Sequence, residues 1–432
     1  MNDINFTMYK LAGIIAEYDP FHNGHAWQLQ QAKALGAQRV AVAMSCGLTQ
    51  RGALPLLPES VRVRAALECG ADLVFALPAP WACAGAEAFA RAGVHLLAAT
   101  GCDALVFGAE TPDAALLLET ARVLNSAAYR AALKQQLAAG ARSFAAARQA
   151  AVQAVGADPA MAALLSQPNN NLAVEYCRAI LEQRAGMTPV PLPRRGANHG
   201  QTLEESGHAQ FASASALRAL WAEGGAEAVA PFVPEKAFEL YKTAENDGAY
   251  TDFDAAGRCE LALLRAACAK PEPFAAVRGV SEGLEHRLEH AVRQSTSLPQ
   301  LLDALTTVRY PRARMRRLAM DAALGYTADT VPALPPALHL LGARKDALPL
   351  LGQVSLPVSH SLAKLAQTGP DGARMAAGSS CAVSGTGFLF SDEVLRKCGG
   401  WHFFLLTEDI EFTIDNVVRD VKIGYARNAV LY

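Results

Sequence analysis

The sequence predicts a doubly wound α/β fold, a parallel sheet with helices on both faces, followed by a helical domain. Apolar runs alternate with helical text through residues 10–110, a strand passes through a proline-broken turn straight into a helix at 13–25, and helical text dominates 226–325. Strands that alternate with helices need crossovers, and crossovers make the sheet parallel and cover both its faces. In order, the expected elements are strand LAGIIAEY (11–18), helix 25–36, strand RVAVAMS (39–45), helix 58–69, strand ADLVFALP (71–78), helix 84–99 and strand DALVFGAE (103–110). Ala-rich helical text then fills 113–156, PNNNLAVEYCRAILEQR (168–184) reads as a turn feeding a helix, PVPLPRRGA (189–197) as a strand, and FASASALRALWAE (211–223) as a hydroxyl-rich helix start. Beyond residue 226 come PEKAFELYKTAE, DAAGRCELALLRAACA, SEGLEHRLEHAVRQ and RARMRRLAMDAALGY, all helical, and then a Pro- and Leu-rich stretch, 326–375, with no assignment.

Composition narrows the class. A chain of 432 residues exceeds what one hydrophobic core supports, so two or three domains are expected, and 51% hydrophobic residues suffice for large cores. The formal charge of -2 gives no global attraction to nucleic acid, so any such binding must come from a local patch. No window approaches the roughly 18 to 20 apolar residues of a membrane span. The start MNDINFTMYK has neither the basic opening nor the apolar run of a signal peptide, and a cytoplasmic location is expected. Nine scattered cysteines without a C-x-x-C pair read as small buried hydrophobes, and no protein metal site is expected.

The informative segment is GIIAEYDPFHNGH. A strand running into a helix leaves backbone N–H groups unpaired at the helix start, a ready place for a phosphate. His22 and His25 lie three apart, so on a first helical turn both imidazoles face one side. Gly24 removes a side chain where a triphosphate comes close. Two histidines near a helix start ordinarily serve as a cap and a surface residue; here they sit at the carboxyl edge of the sheet, where ligands of such folds bind. The other strand ends there carry Glu17-Tyr18-Asp19, Met44-Ser45, Leu77-Pro78 and Phe107-Gly108. H-x-G-H in this place is the signature of nucleotidylyl transferases, in which histidines donate hydrogen bonds to an α-phosphate as charge builds.

GIIAEYDPFHNGH, MSCGLTQRG, GADLVFALPAPWA, FGAE, PNNNLAVEY, RRGANHG, SASALR, EGLEHRL and RYPRARMRR follow one another in this order. Together they resemble the bacterial tRNA(Met) cytidine acetate ligase family, with a nucleotidyltransferase-like Rossmann core. The resemblance implies activation of acetate with ATP, giving acetyl-adenylate and pyrophosphate, and transfer of the acetyl group to N4 of the wobble cytidine of elongator tRNA(Met), with Mg²⁺ assisting. It implies an ATP-binding domain at 10–225, a mostly helical tRNA-binding domain at 226–375, and an ATP pocket of Ile15, Ala16, Glu17, Tyr18, Asp19, Pro20, Phe21, His22, Asn23, Gly24, His25, Ala26, Trp27 and Gln28. His22 and His25 would be catalytic.

Further matches extend the pocket. Gly108 would admit adenine or ribose beside a missing side chain, and the carboxamides of Asn169 and Asn170 suit an adenine edge, though PNNN also reads as a plain turn and cap. Arg194 suits a phosphate oxygen pair. Ser213, Ser215 and Arg218 match an element that closes over the phosphates, and their hydroxyls equally suit a helix cap. Gln50-Arg51-Gly52 places an arginine at the carboxyl edge, in reach of a phosphate or acetate. The chain departs from the family at Asp19 (usually Asn), Glu59 (Lys), Ala76 (Glu), Ala109 (Ser) and Val308 (Lys). Two positive charges are thereby lost, and weaker binding of ATP or tRNA is expected. Adenylylation of another small metabolite, and a catalytically weakened RNA- or nucleotide-binding protein, stay open as alternatives.

Arg309, Arg312, Arg314, Arg316 and Arg317 crowd nine residues with no interleaved acid and are the expected tRNA contact. Residues 376–432 change character: SGTGFLFSDEVL, GGW and LLTEDIEFT resemble the acceptor half of a family-2 glycosyltransferase, with Asp409 matching its general base. The donor half is missing from the sequence, and this fragment is expected to have no function.

Overall fold

A computed structural model describes residues 8–194 and 211–379. The glycosyltransferase-like segment lies outside the described residues from 380 on, as does Arg195.

The expected alternation forms in order: β1 (Tyr9–Ala16), α1 (Asn23–Ala34), β2 (Ala37–Ser45), α2 (Glu59–Glu68), β3 (Leu73–Leu77), a single turn α3 (Ala79–Ala82), α4 (Ala86–Ala99) and β4 (Ala104–Ala109). The Ala-rich stretch divides into α5 (Ala114–Asn125), α6 (Ala127–Ala138) and α7 (Phe144–Ala154), each opened by a side-chain cap from Asp113, Ser126 or Ser143. α8 (Pro159–Leu164), α9 (Pro168–Gln183) and β5 (Thr188–Pro193) complete the first half. β5 carries prolines at 189, 191 and 193 and pairs with β4 alone, an edge position that tolerates residues without an N–H.

The sheet order is β5-β4-β1-β2-β3-β6-β7. From β1 the chain winds outward through β2 and β3, then crosses back to lay β4 and β5 on the other side of β1. The winding direction therefore switches between β1 and β4, the place where such sheets open a crevice at their carboxyl edge. One face packs β1–β4 against α4, α5 and α9 through Leu11, Phe75, Leu97, Phe107 and Val174. The opposite face packs Ile14, Val42 and Met44 against α1 and α2.

The expected boundary at 225 and the helical domain at 226–375 are revised. α10 (Ala214–Val229) and α11 (Glu235–Asn246) cover the α1/α2 face with Leu217, Trp221 and Tyr241, and the Tyr241 hydroxyl donates to Phe21 O at 2.6 Å. A separate helical core comprises α12 (Phe253–Ala267), α13 (Leu284–Gln294), α14 (Leu298–Leu305) and α15 (Arg312–Leu324), closed by Leu264, Leu288, Leu301 and Met315. The chain then returns to the sheet. β6 (Leu338–Ala343) pairs antiparallel with β3, β7 (Val358–Ser359) pairs with β6, and α16 (Leu362–Ala366) and α17 (Pro370–Ser379) follow, with Leu365 and Met375 in the α4-side core. The buried Asp72 anchors this return: it accepts from Val40 N at 2.9 Å and Arg39 Nη1 at 3.0 Å, and its carbonyl accepts from Arg344 N at 2.9 Å. Among the described residues no helix is long and apolar enough to cross a membrane.

Candidate active site at the start of the first helix

His22 is the N-cap of α1, with extended backbone at φ -141° and ψ 175°. Its Nδ1 accepts from Gly24 N at 3.1 Å, and His22 N donates to His25 Nδ1 at 3.2 Å. The rings stack, centroids 3.7 Å apart and 21° between planes. Because each Nδ1 is an acceptor in this arrangement, each neutral ring carries its proton on Nε2. The pair thus holds two N–H donors side by side. Burial and the nearby Arg194 charge push the His22 pKa down to about 3, and burial, His22 and Arg194 hold His25 well below its ordinary value. Both are neutral donors at pH 7. A Cβ on Gly24 would stand 2.9 Å from the His22 ring, so the glycine is required by the histidine's own packing.

The turn before α1 is built to hold this geometry. Tyr18 takes the left-handed conformation at φ 51°, is fully buried, and sets its ring edge-on to His25 at 4.8 Å, with Phe21 4.9 Å away from it. Asp19, 3% exposed, accepts from Leu56 N at 2.6 Å and from Arg218 Nη1 at 3.0 Å, and its carbonyl accepts from Arg218 at 2.8 Å. The added carboxylate is therefore paired within the protein by Arg218, which uses only Nη1 in these bonds. Glu17 accepts from Gln50 N at 2.6 Å, and burial raises its pKa. No cluster of three or more His, Cys, Asp or Glu suited to a metal occurs among the described residues, and these do not fit a protein-held Mg²⁺.

Of the other residues expected at ATP, the structure gathers some and diverts others. Gly108, exposed at the end of β4, would bring a Cβ to 3.4 Å from Arg194, whose charge bears on both histidines. Phe211 lies 4.0 Å from the Cβ position of Gly24, which brings the start of α10 to the start of α1. There Ser213 caps α10, accepting from Ala216 N at 3.2 Å and meeting Ser215 Oγ at 3.1 Å. Ile15 packs inward against Gly93, Ala16 and Ala26 belong to the opposite core, and Trp27 packs against that core. Gln28 donates to Val106 O at 3.0 Å, pinning α1 to β4, and Asn23 donates to Pro231 O at 3.3 Å.

The side chain of Asn170, expected at the adenine, is engaged within the fold. Fully buried, it accepts from Thr111 N at 2.9 Å and spends its two amide protons on Thr111 Oγ1 at 3.1 Å and Gln167 Oε1 at 2.6 Å. No donor is left for a base. Glu110 plugs the start of α9, accepting from Asn169 N at 3.1 Å, from Asn170 N at 2.6 Å and from the Asn169 amide. FGAE and PNNN form a strand-to-helix clasp, with the carboxylate at the positive end of the helix. Asn169 remains half-exposed beside it.

The buried Arg62 went unrecognised in the sequence. From α2 it donates to Glu17 O at 2.8 Å, Ser45 O at 2.9 Å and Leu57 O at 3.2 Å, tying the carboxyl ends of β1 and β2 together. Its signal was a charge in the core-facing row it shares with Ala65 and Ala66.

Comparison with known proteins gives the family. A family model described as HIGH Nucleotidyl Transferase matches residues 9–375. The tRNA(Met) cytidine acetate ligase of Syntrophotalea carbinolica is 33% identical over 367 residues, 82% of this chain and 86% of its own. That of Listeria monocytogenes is 30% identical over 363 residues, 82% and 90% of the two chains. This chain belongs to the tRNA(Met) cytidine acetate ligase family. The Thermotoga maritima TmcAL bound with alpha-thio ATP superposes with a TM-score of 0.74 at 28% identity over 83% of this chain and 87% of that one. Its apo form gives 0.75 at 30% identity, over 81% and 85%.

The arginine helix departs from expectation. Acids outside the run answer it: Arg309 pairs with Glu282 at 2.6 Å, Arg312 with Asp303, and Arg316 with the buried Glu260. Arg314 lies over the Tyr310 ring at 5.0 Å, and Arg317 donates to Gln50 O at 3.3 Å. The five are therefore not one open patch. Arg309 and Arg312 keep half or more of their side chains exposed, whereas Arg316 keeps 14%. Behind them Arg278 grips Asp321 with two bonds of 3.0 and 2.7 Å and donates to Cys83 O at 2.8 Å, docking the helical unit on the turn after β3.

Proposed function

We propose that the chain condenses acetate with ATP and passes the acetyl group to N4 of the wobble cytidine of elongator tRNA(Met), in keeping with its family. The observation that carries this reading is the pair of neutral Nε2–H donors held at the start of α1, beside the switch point of the sheet. An acetate oxygen attacks the α-phosphorus, the bond from that phosphorus to the α,β-bridging oxygen breaks, and pyrophosphate leaves with its electron pair. Charge grows on the α-phosphate oxygens in that step, and His22 and His25 donate to them without losing a proton, while the helix start adds its partial positive charge. Arg194 supplies a full positive charge to the same side. Mg²⁺ belongs to this reading only as an ion carried in by the triphosphate. In the second half, the cytidine amine attacks the acyl carbon and AMP departs.

Arg309, Arg312 and Arg314 are the proposed tRNA contacts, since surface ion pairs are weak and exchange readily for phosphates. A cytoplasmic setting suits that substrate. The test is acetate-dependent exchange of labelled pyrophosphate into ATP, followed by labelled acetate transfer with and without bulk tRNA. Exchange with acetate and transfer only with tRNA are expected. Exchange with another carboxylate but not acetate would point to a different metabolite, and binding without exchange to a non-catalytic protein.

A further inference from the structure

We infer that Arg317 is a positioning residue: through the backbone of Gln50 it braces the loop that holds Glu17, and so couples the arginine helix to the nucleotide site. The inference rests on the function proposed above. The loop is a closed turn, with Thr49 N to Ala53 O at 2.9 Å, Gly52 N to Thr49 O at 2.9 Å and Ala53 N to Thr49 Oγ1 at 3.1 Å. Such a turn moves as a unit. On one side Gln50 N donates to Glu17 at 2.6 Å; on the other Arg317 Nη1 donates to Gln50 O at 3.3 Å. Gly52 makes the contact close: at φ +81°, its Cβ position lies 3.0 Å from Arg317 Cα, 3.1 Å from Arg317 N and 3.2 Å from Arg316 C, so the loop lies directly on the backbone of α15.

The path continues without a gap. Glu17 precedes Tyr18, whose left-handed backbone sets its ring against His25, and Arg62 grips the Glu17 carbonyl at 2.8 Å. A phosphate chain that draws on the exposed arginines of α15 pulls on the same helix that carries Arg317. Any resulting change at the nucleotide site must appear reciprocally in the affinity for tRNA.

The experiment measures, on the full chain, the Kd of α,β-methylene ATP with and without saturating bulk tRNA, and the Kd of tRNA with and without the analogue. Each ligand is expected to tighten the other by about fivefold or more, the lower end of ordinary coupling. In Arg317→Met the factor should fall below about twofold, while each ligand alone binds within about threefold of wild type; Arg317→Lys, which keeps a donor, should restore part of it. Because Arg317→Met risks misfolding, hydrogen exchange on the wild type supplies a second reading: tRNA alone should slow the amides of 47–53 and 16–19. Independent binding in wild type, full coupling in a folded Arg317→Met, or unchanged exchange in both segments would overturn the inference while leaving the functional reading intact. Failure of the analogue or of tRNA to bind at all would overturn both.

Discussion

Two helices open on a polar motif beside the carboxyl ends of strands, α1 following β1 and α9 following α8 with its start against the end of β4, and they differ in what occupies their first turn. At α9 the chain supplies its own anion: Glu110 takes the N–H groups of Asn169 and Asn170. At α1 the cap is a neutral imidazole, and toward the described residues the two histidines use their Nδ1 atoms. A helix start favours negative charge in either case. The first is satisfied from within and stabilises the fold; the second has no such carboxylate among its hydrogen bonds to described residues and is the proposed place of a ligand. A polar motif reports chemistry only through the hydrogen bonds it does not use internally.

The largest effect that sharpens this contrast is at His25. Loss of one transition-state donor is worth roughly 10² to 10³ in rate, so His25→Ala should reduce acetate-dependent pyrophosphate exchange by that factor with thermal unfolding little changed. Undiminished exchange in a folded variant would make the two helix starts equivalent and remove the distinction.

Within the arginine run the same contrast separates Arg316 from Arg312. Arg316→Met leaves the buried Glu260 without its partner, which typically costs 3–5 kcal/mol; Arg312→Gln breaks an exposed pair worth roughly 0–1 kcal/mol. Denaturant midpoints should therefore fall sharply for the first and barely for the second, whereas tRNA affinity should weaken mainly in the second. Each lost phosphate contact should flatten the log Kd against log salt slope by about 0.7 to 0.9.

Asn170→Ala should destabilise by about 1–3 kcal/mol, because Thr111 N and Gln167 lose their buried partner, yet the Kd for ATP should hold. A large rise in that Kd at unchanged stability would return Asn170 to the adenine site.

A further effect is on pH. The folded pKa of His22, about 3, lies below its unfolded value near 6.5, so between these limits the unfolded chain binds more protons. Stability from this group is complete above about 6.5 and declines as pH falls toward 3. A histidine titration followed by NMR in the ligand-free protein should show no His22 protonation at pH 5; a midpoint near 6.5 would break the neutral-donor description.

Local text was enough for much of this. The alternation through residue 110 placed α1, β2, α2, β3, α4 and β4 within about two residues, since each amphipathic period is written in its own segment. The strand-turn-helix at GIIAEYDPFHNGH likewise declared both the helix start and its histidines. What the sequence could not disclose was where polar groups spend their bonds. Asp19 meets Arg218 across 199 residues, Arg316 meets Glu260 across 56, and β6 returns to β3 from a stretch with no readable period. Those pairings depend on chain segments brought together by the burial of the sheet faces, and burial is a property of the whole. Periodicity determined the elements and the position of the histidine turn; only tertiary packing decided which arginines and amides are consumed by the fold and which stay exposed.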